Sequence, residues 1–432
     1  MDPGPVGAAI LVVVSRLLVR RSGPLRGEVT ISGAKNSALK LMAACVLAEG
    51  RYVLRNVPDI SDVTHMSSLI EAMGLTTRRR EDRALEIIRG PDVVPEAPYE
   101  LVERFRASSA VLGALLASVG EARVAMPGGD DFGSRPIDMH LASLEALGAE
   151  FELEHGVIVG RAPQLTGAEV VLEYPSVGAT ENLLMAAVRA KGRTTIRNAA
   201  REPEIADLAA FLNRMGARIL GAGSPTIDVD GVDELRAVEH TVIPDRIEVA
   251  TFLAALASAG GEITLRGARA DHVDLLIEKM GRMGVRISPE QDGLWAMASG
   301  RPKAVDIATL PYPGLATDYL PLLVAVLVLA DGTSYATENV FAGRFRYIGE
   351  LARLGAQVRV DGHHLVIDGV GRLSGAPVRA VDIRAGAAMV IAALRADDQT
   401  MIYDAVHIDR GYERFVEKLA GLGADIERVP PD

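Results

Sequence analysis

The sequence predicts an α/β protein assembled from six copies of one strand-and-helix unit, and three observations carry that reading. A phrase that closes an amphipathic helix on glycine recurs as Glu71-Ala-Met-Gly, Glu145-Ala-Leu-Gly, Asn213-Arg-Met-Gly, Gly281-Arg-Met-Gly, Ala352-Arg-Leu-Gly and Ala420-Gly-Leu-Gly. The six glycines, Gly74, Gly148, Gly216, Gly284, Gly355 and Gly423, are separated by 74, 68, 68, 71 and 68 residues, a nearly fixed period. After the glycine comes an alternating strand pair, as in Ala356-Gln-Val-Arg-Val turning at Asp361-Gly362 into His364-Leu-Val-Ile.

Each element of the unit has a local cause. Glycine ends the amphipathic helix because a left-handed C-cap costs little without a Cβ. A second helix, rich in alanine and leucine, precedes the amphipathic one, as over 108–118 and 318–329. The unit therefore reads strand, helix, strand, helix, strand, strand. It is too long for a solenoid repeat and too mixed for a propeller.

Bulk composition narrows the function classes. The chain has 432 residues, 49% of them apolar and 24% charged, which describes an ordinary globular protein of several domains. With Cys45 as the only cysteine, neither an intrachain disulfide nor a cysteine-based zinc site can form, and a cytoplasmic location is expected. A formal charge of −11 argues against a duplex nucleic-acid partner and leaves only local polyanion binding open. The apolar run 8–14 is far short of the ~20 residues that cross a bilayer, so no membrane partner is expected. Asp2 is the only charge ahead of that run, which argues against a signal peptide, and residues 1–15 are set aside as a leader of unassigned purpose.

Charged side chains collect where apolar helices start, and there a helix offers free N–H groups and partial positive charge. Lys35, one of only six lysines, and Asn36 open the helix expected over 35–49. Arg106 precedes Ala107-Ser-Ser-Ala-Val-Leu, Arg135 precedes Pro136, and Arg384 opens Ala385-Gly-Ala-Ala-Met-Val-Ile. Any one of these cations is ordinarily solvated. At cognate positions of repeats packed around a common axis they would converge into a pocket for a small polyanion.

Acids occupy similar places. Asp318 follows Thr317 ahead of a fully apolar helix, and Asp245 lies in Pro244-Asp-Arg-Ile-Glu ahead of another. Each reads either as an N-cap or as a general base kept ionised by neighbouring cations. The stretch 126–136, with Asp130, Asp131 and Arg135 among glycines and prolines, reads as an exposed turn or as a mobile segment closing over a ligand. No Walker A, Gly-x-Gly-x-x-Gly, His-Glu-x-x-His or Gly-x-Ser-x-Gly sequence is present. His363 and His364, adjacent in an expected strand, would face opposite ways and make a poor metal pair, and His140 reads as structural.

Beyond these general readings, a set of motifs carries a family resemblance. Ser32-Gly-Ala-Lys-Asn, Pro127-Gly-Gly, Gly133-Ser-Arg-Pro-Ile-Asp-Met-His, Pro175-Ser-Val-Gly-Ala-Thr-Glu-Asn, Asn198-Ala-Ala-Arg-Glu-Pro-Glu-Ile, Pro244-Asp-Arg-Ile-Glu, Thr317-Asp318, Thr337-Glu-Asn-Val-Phe, Asp382-Ile-Arg-Ala and His407-Ile-Asp-Arg-Gly-Tyr-Glu-Arg occur in this order. In these motifs the chain resembles the UDP-N-acetylglucosamine enolpyruvyltransferases from about Leu17 to Val429. The resemblance implies a two-lobed inside-out α/β barrel of six βαβαββ repeats, the EPSP synthase-like fold. One lobe would comprise 1–34 with 242–432, and the other 35–241 with the mobile loop 126–135. The two crossings between lobes would form a hinge, with helix N-termini aimed at the cleft.

The implied reaction transfers the enolpyruvyl group of phosphoenolpyruvate to the 3-hydroxyl of UDP-N-acetylglucosamine and releases phosphate, the first committed step of peptidoglycan synthesis. By the same resemblance, Lys35, Asn36, Arg135 and Arg410 would hold phosphoenolpyruvate, with Arg344 and Arg384 completing a cationic cage. Asp318 would take the hydroxyl proton. The uridine-diphospho-sugar would meet Asn36, Arg106, Arg135, Pro136, Ile137, Asp138, Met139, Ser176, Val177, Asp318 and Val340. No metal or organic cofactor is implied.

Three departures from the family pattern stand out. Asp130 occupies the place where most members carry a cysteine, so it would be the acid that protonates C3, and insensitivity to the epoxide fosfomycin is expected. Leu315-Ala316 replaces Phe-Pro ahead of Thr317-Asp318, and Ala342-Gly343 stands where a glutamate is common at the first position. These last two bear on the acceptor and admit a paralogue acting on another nucleotide such as UMP in nucleoside-antibiotic assembly. A non-catalytic sugar-nucleotide-binding paralogue is the remaining alternative, and retention of Lys35, Asp318 and Arg410 together argues against it.

Overall fold

The computed structural model describes residues 15–103, 105–126, 128, 137–341 and 343–430. Its strands form six four-stranded sheets and one short two-stranded pair. Five of the four-stranded sheets join one parallel pair to an antiparallel hairpin, as where Glu169–Val171 runs parallel to Arg193–Arg197, followed by Thr226–Asp230 and Arg218–Leu220, and in the sixth a strand from the start of the chain replaces one hairpin strand. The unit read from the repeat thus appears as one sheet each time.

Three sheets borrow a strand from far along the chain. Leu25–Thr30 runs parallel to Gly261–Arg266, and Glu239–Thr241 runs parallel to Gly50–Arg55. Arg16–Arg20 inserts between Gln399–Tyr403 and Ile426–Val429. Buried apolar side chains accordingly form two cores. One gathers residues from Leu17 to Ile31 and from Ile247 to Ile426, the other residues from Ala34 to Val242.

The chain passes between the cores twice, and the two passages lie side by side. Gly33 bridges Pro244 antiparallel, Ala34 N–H donates to the Ile243 carbonyl at 2.7 Å, and Asp245 N–H donates to the Ser32 carbonyl at 2.9 Å. Gly33 is required there, because a Cβ would stand 1.6 Å from the Asn56 carbonyl oxygen.

At the centre of the first core are three helices, Arg246–Ala259, Leu320–Leu327 and Ile383–Ala393, in which every residue is buried. A helix that is apolar on all sides needs neighbours all round, and alanine lets those neighbours approach closely. Lys35–Ala44, Val111–Val119 and Val177–Ala187 play the same part in the second core. The amphipathic helices lie outside them and end on the six repeat glycines, whose φ values all fall between +91° and +114°. That is the left-handed cap read from the sequence.

The expected boundaries shift where helix ends tighten. The helix read over 35–49 is α-helical over Lys35–Ala44 and becomes a 3-10 turn over Cys45–Leu47. Those read over 108–118 and 318–329 begin as 3-10 turns at Arg106–Ala110 and Thr317–Tyr319, and Pro321 sets the first α-turn of Leu320–Leu327. His363 corrects a reading: it lies in the hairpin turn, outside strand His364–Asp368, so strand alternation does not apply. Its ring centroid is 3.9 Å from that of His364. Among the described residues no helix is long and apolar enough to cross a membrane.

Two glycine substitutions separate close approach from helix propensity. Gly33→Ala must displace the Asn56 backbone and is expected to lower stability by at least ~1–3 kcal/mol. Gly281→Ala, exposed within helix Asp274–Met283 with open space around its Cβ, is expected to raise stability by up to ~1 kcal/mol. Urea midpoints of the two variants check both signs.

Candidate functional site

Two helix starts, a helix end and a turn bring four cations together around two carboxylates: Lys35 and Arg384 lie in the first turns of their helices, Arg410 follows helix Val406–Asp409, and Arg344 lies ahead of helix Tyr347–Arg353. Lys35, the first residue of its helix, places Nζ 2.6 Å from Asp62 Oδ2, and Arg410 Nε donates to Asp62 Oδ1 at 3.0 Å. Arg410 belongs with the first core, whereas Asp62, in the first turn of Ser61–Ala72, belongs with the second. Burial alone would raise the Asp62 pKa, but Lys35 and Arg410, with His65 3.8 Å away, hold this carboxyl well below the usual range. Burial lowers the Lys35 pKa against the pull of Asp62, and the charges of Arg384 and Arg410 lower it further.

Asp318 is the second centre. Its Oδ1 lies 2.8 Å from Arg344 and its Oδ2 accepts from Arg384 Nε at 3.3 Å. Both arginine side chains are at most 5% exposed, while a quarter of the Asp318 side chain remains reachable. Burial pushes its carboxyl pKa up, yet Arg344 and Arg384 outweigh that and hold it ionised far into acid. Asp318 caps no helix. Arg384 opens a helix capped by Asp382, which accepts from the N–H groups of Arg384 and Ala385, both at 2.8 Å. The Arg384 guanidinium also sits 5.2 Å from the Tyr412 ring centroid.

Asp245 resolves the other way. It accepts from Ile247 N–H at 2.7 Å and Glu248 N–H at 3.2 Å, and its second oxygen accepts from Lys35 N–H at 3.3 Å. Of the two readings open in sequence, it takes that of the N-cap, and burial raises its pKa.

The remaining sequence candidates lie mostly on the second core. Asn36 and Arg106 are half-buried at their helix starts, and Ser176 Oγ accepts from Ala179 N–H at 3.3 Å ahead of Val177. Ile137 is buried and leads into Asp138 and Met139 at the start of helix Asp138–Glu145. Val340 follows strand Thr333–Thr337 on the first core's side. Burial raises the Tyr174 pKa, and the charges of Glu202 and Glu338 add to the rise. Asp130, Asp131, Arg135 and Pro136 lie outside the described residues, as does Ala342. His140 is buried against Asn182 at 3.0 Å, and burial lowers its pKa to about 4, as befits a structural side chain.

Two acids here were given no role in the sequence reading. Asp62 sits in the first turn of an amphipathic helix, and the census of helix starts covered only the apolar ones. Glu338 lies within the quoted motif Thr337-Glu-Asn-Val-Phe, but its place as a hydrogen-bond centre depends on Thr309 and Thr317, distant in sequence. The assembled site can bind a compact molecule with several negative groups and presents an ionised carboxylate at the edge of the cation cluster.

Comparison with known proteins places nearly the whole chain in one family. A family model described as EPSP synthase (3-phosphoshikimate 1-carboxyvinyltransferase) matches residues 19–419. A UDP-N-acetylglucosamine 1-carboxyvinyltransferase of Mycobacterium leprae is 51% identical over 418 residues, covering 96% of this chain and 100% of the relative. Another, of an Anaeromyxobacter species, is 50% identical over 419 residues, covering 96% and 99%. Among solved structures, the enolpyruvyl transferase NikO from Streptomyces tendae superposes with a TM-score of 0.88 at 28% identity, covering 97% of this chain and 100% of its own. EPSP synthase from Acinetobacter baumannii, at 16% identity with 96% and 100% covered, shares the fold with a TM-score of 0.75.

Asp62→Asn leaves Lys35 and Arg410 with no shared counter-charge, and loss of one partner from a buried pair costs about 3–5 kcal/mol. A lower denaturation midpoint at pH 7 is expected. The sign with pH follows from the direction of the shift: a carboxyl held below its ordinary 3.8 stabilises fully above that value and loses the effect as pH falls through the folded pKa. The variant should therefore lose less stability than the parent on acidification below about pH 4. A parallel acid profile in the two proteins would remove Asp62 from this role.

Proposed function

The chain belongs to the UDP-N-acetylglucosamine 1-carboxyvinyltransferases within the wider enolpyruvyltransferase family, and we propose that it transfers the enolpyruvyl group of phosphoenolpyruvate to the 3-hydroxyl of UDP-N-acetylglucosamine. Phosphate is the other product, and the reaction begins peptidoglycan synthesis in the cytoplasm. The observation that carries this reading is Asp318, ionised and partly exposed between two buried arginines.

Each step makes a demand that a named residue answers. Phosphoenolpyruvate brings a phosphate and a carboxylate, which Lys35, Arg344, Arg384 and Arg410 meet with fixed positive charge. Arg135 joins them on the grounds of sequence alone. The acceptor hydroxyl adds through oxygen to C2, its proton passes to Asp318, and C3 gains a proton from Asp130, which yields a tetrahedral phospho-ketal. Elimination of phosphate with loss of a C3 proton then gives the enol ether. A base so strongly stabilised as an anion acts through position more than through intrinsic basicity.

On the acceptor side, Asn36, Arg106, Ser176, Val177 and the run 135–139 hold the nucleotide in this reading, and Val340 approaches it from the opposite half. Residues 1–34 with 242–432 form one lobe and 35–241 the other. Closure about the paired crossings at Gly33 and Pro244 brings the two halves of the site together.

Phosphate release from phosphoenolpyruvate, with the product weighed by mass spectrometry, tests the proposal. Turnover with UDP-N-acetylglucosamine is expected, whereas turnover with UMP alone would assign a different acceptor. Asp318→Asn is expected to lower kcat by about 10²–10⁴-fold while sugar-nucleotide affinity stays within about threefold; an unchanged kcat would deny it the role of base.

Cys45 generates a separate prediction. Its thiol is fully buried, Sγ donates to the Leu41 carbonyl at 3.2 Å, and burial raises its pKa well above normal. With this the only cysteine, preincubation with fosfomycin is expected to leave activity unchanged, and Asp130→Cys is expected to confer time-dependent inactivation. Rapid inactivation of the parent protein would contradict this account.

A further inference from the structure

We propose that Glu338 is a positioning residue that locks the base Asp318 in register with the acceptor-binding turn at Val340. The inference rests on the function proposed above and assigns a role to a side chain that does not itself touch substrate.

Glu338 is 1% exposed, and a carboxylate so buried persists only when its oxygens are satisfied. Its Oε1 accepts from the Thr309 hydroxyl at 2.7 Å, Val340 N–H at 2.7 Å and Phe341 N–H at 3.0 Å. Its Oε2 accepts from the Thr317 hydroxyl at 2.7 Å. Four neutral donors from three separate segments therefore converge on one side chain.

Where those donors sit gives the arrangement its consequence. Thr317 immediately precedes Asp318, and its oxygen accepts from Arg344, the same guanidinium nitrogen that lies 2.8 Å from Asp318. Val340 and Phe341 form the turn proposed to meet the sugar nucleotide. Glu338 thus connects the acceptor wall to the base by one chain, Val340 to Glu338 to Thr317 to Arg344 to Asp318. A displacement of an ångström at a base costs far more in rate than in binding.

The carboxylate form is needed for this. Thr317 already accepts from Arg344 and donates to Oε2. In Glu338→Gln an amide NH₂ at that position has no lone pair to offer, so the hydroxyl proton loses its acceptor and the link weakens.

Steady-state kinetics of Glu338→Gln and Thr317→Val, with Thr317→Ser as the conservative variant, test the proposal. Glu338→Gln is expected to raise the KM for UDP-N-acetylglucosamine about tenfold and lower kcat about tenfold, with the KM for phosphoenolpyruvate within about twofold of the parent. Thr317→Val is expected to lower kcat about tenfold with little change in either KM, and Thr317→Ser to restore it. Equal changes in both KM values, parent-like kinetics in Glu338→Gln, or failure of Thr317→Ser to exceed Thr317→Val would each overturn the assignment. If Glu338→Gln does not fold, the threonine pair decides. If the parent turns over only UMP, the acceptor proposed above is wrong, and the KM for UMP in these same variants still decides the role of Glu338.

Discussion

Four like charges gathered around two carboxylates are the constraint on which the rest of this structure depends. Lys35, Arg344, Arg384 and Arg410 lie close enough for their charges to perturb one another and their shared carboxylates. The helices opened by Lys35 and Arg384 add their own positive ends. Such a cluster holds only because Asp62 and Asp318 each accept two of the cations, at distances between 2.6 and 3.3 Å. Packing follows from this. Fixing the helix starts requires rigid helices behind them, and helices buried on every side satisfy that requirement.

The way the two cores meet obeys the same logic. Apolar contact between them would weld the halves, whereas ion pairs and hydrogen bonds also cross between them. Arg246 Nε bonds both oxygens of Glu204 at 3.0 and 3.2 Å. Glu413 accepts from Ser32 at 2.7 Å on its own side and from Arg83 at 2.6 Å and Asp59 N–H at 3.2 Å on the other. Interfaces of this composition accommodate relative movement. The site proposed above, divided between the two halves, would use that freedom.

How much of this was legible in sequence depended on whether a feature was local or assembled. The six glycines announced both the repeat and their own left-handed caps, since period and conformation are properties of short segments. The cations at 35 and 384 were legible as helix starts, and their family roles came from motifs. Asp245 and Asp318 could not be told apart, because an acid before an apolar helix looks the same whether it turns back to the N–H groups or outward to distant arginines. Asp62 and Glu338 stayed invisible for the converse reason. The partners of Asp62 are up to 348 residues away, and no local pattern marks such a junction. His363 was misread because a one-residue difference in where a hairpin turns removes a side chain from strand alternation.

Asp62 also shows how the cluster ties the two cores to each other. With Lys35 on one core and Arg410 on the other, its carboxylate supplies in the free protein the negative charge that draws the two halves together. In the function proposed above, a ligand bearing a phosphate and a carboxylate would bring additional negative charge to the same cations and to Arg344 and Arg384. Attraction between the two halves would then grow with the charge of the ligand. In that proposed reaction, closure so driven would discriminate by charge, leaving the fit of the acceptor to the neutral hydrogen-bonded wall around Val340.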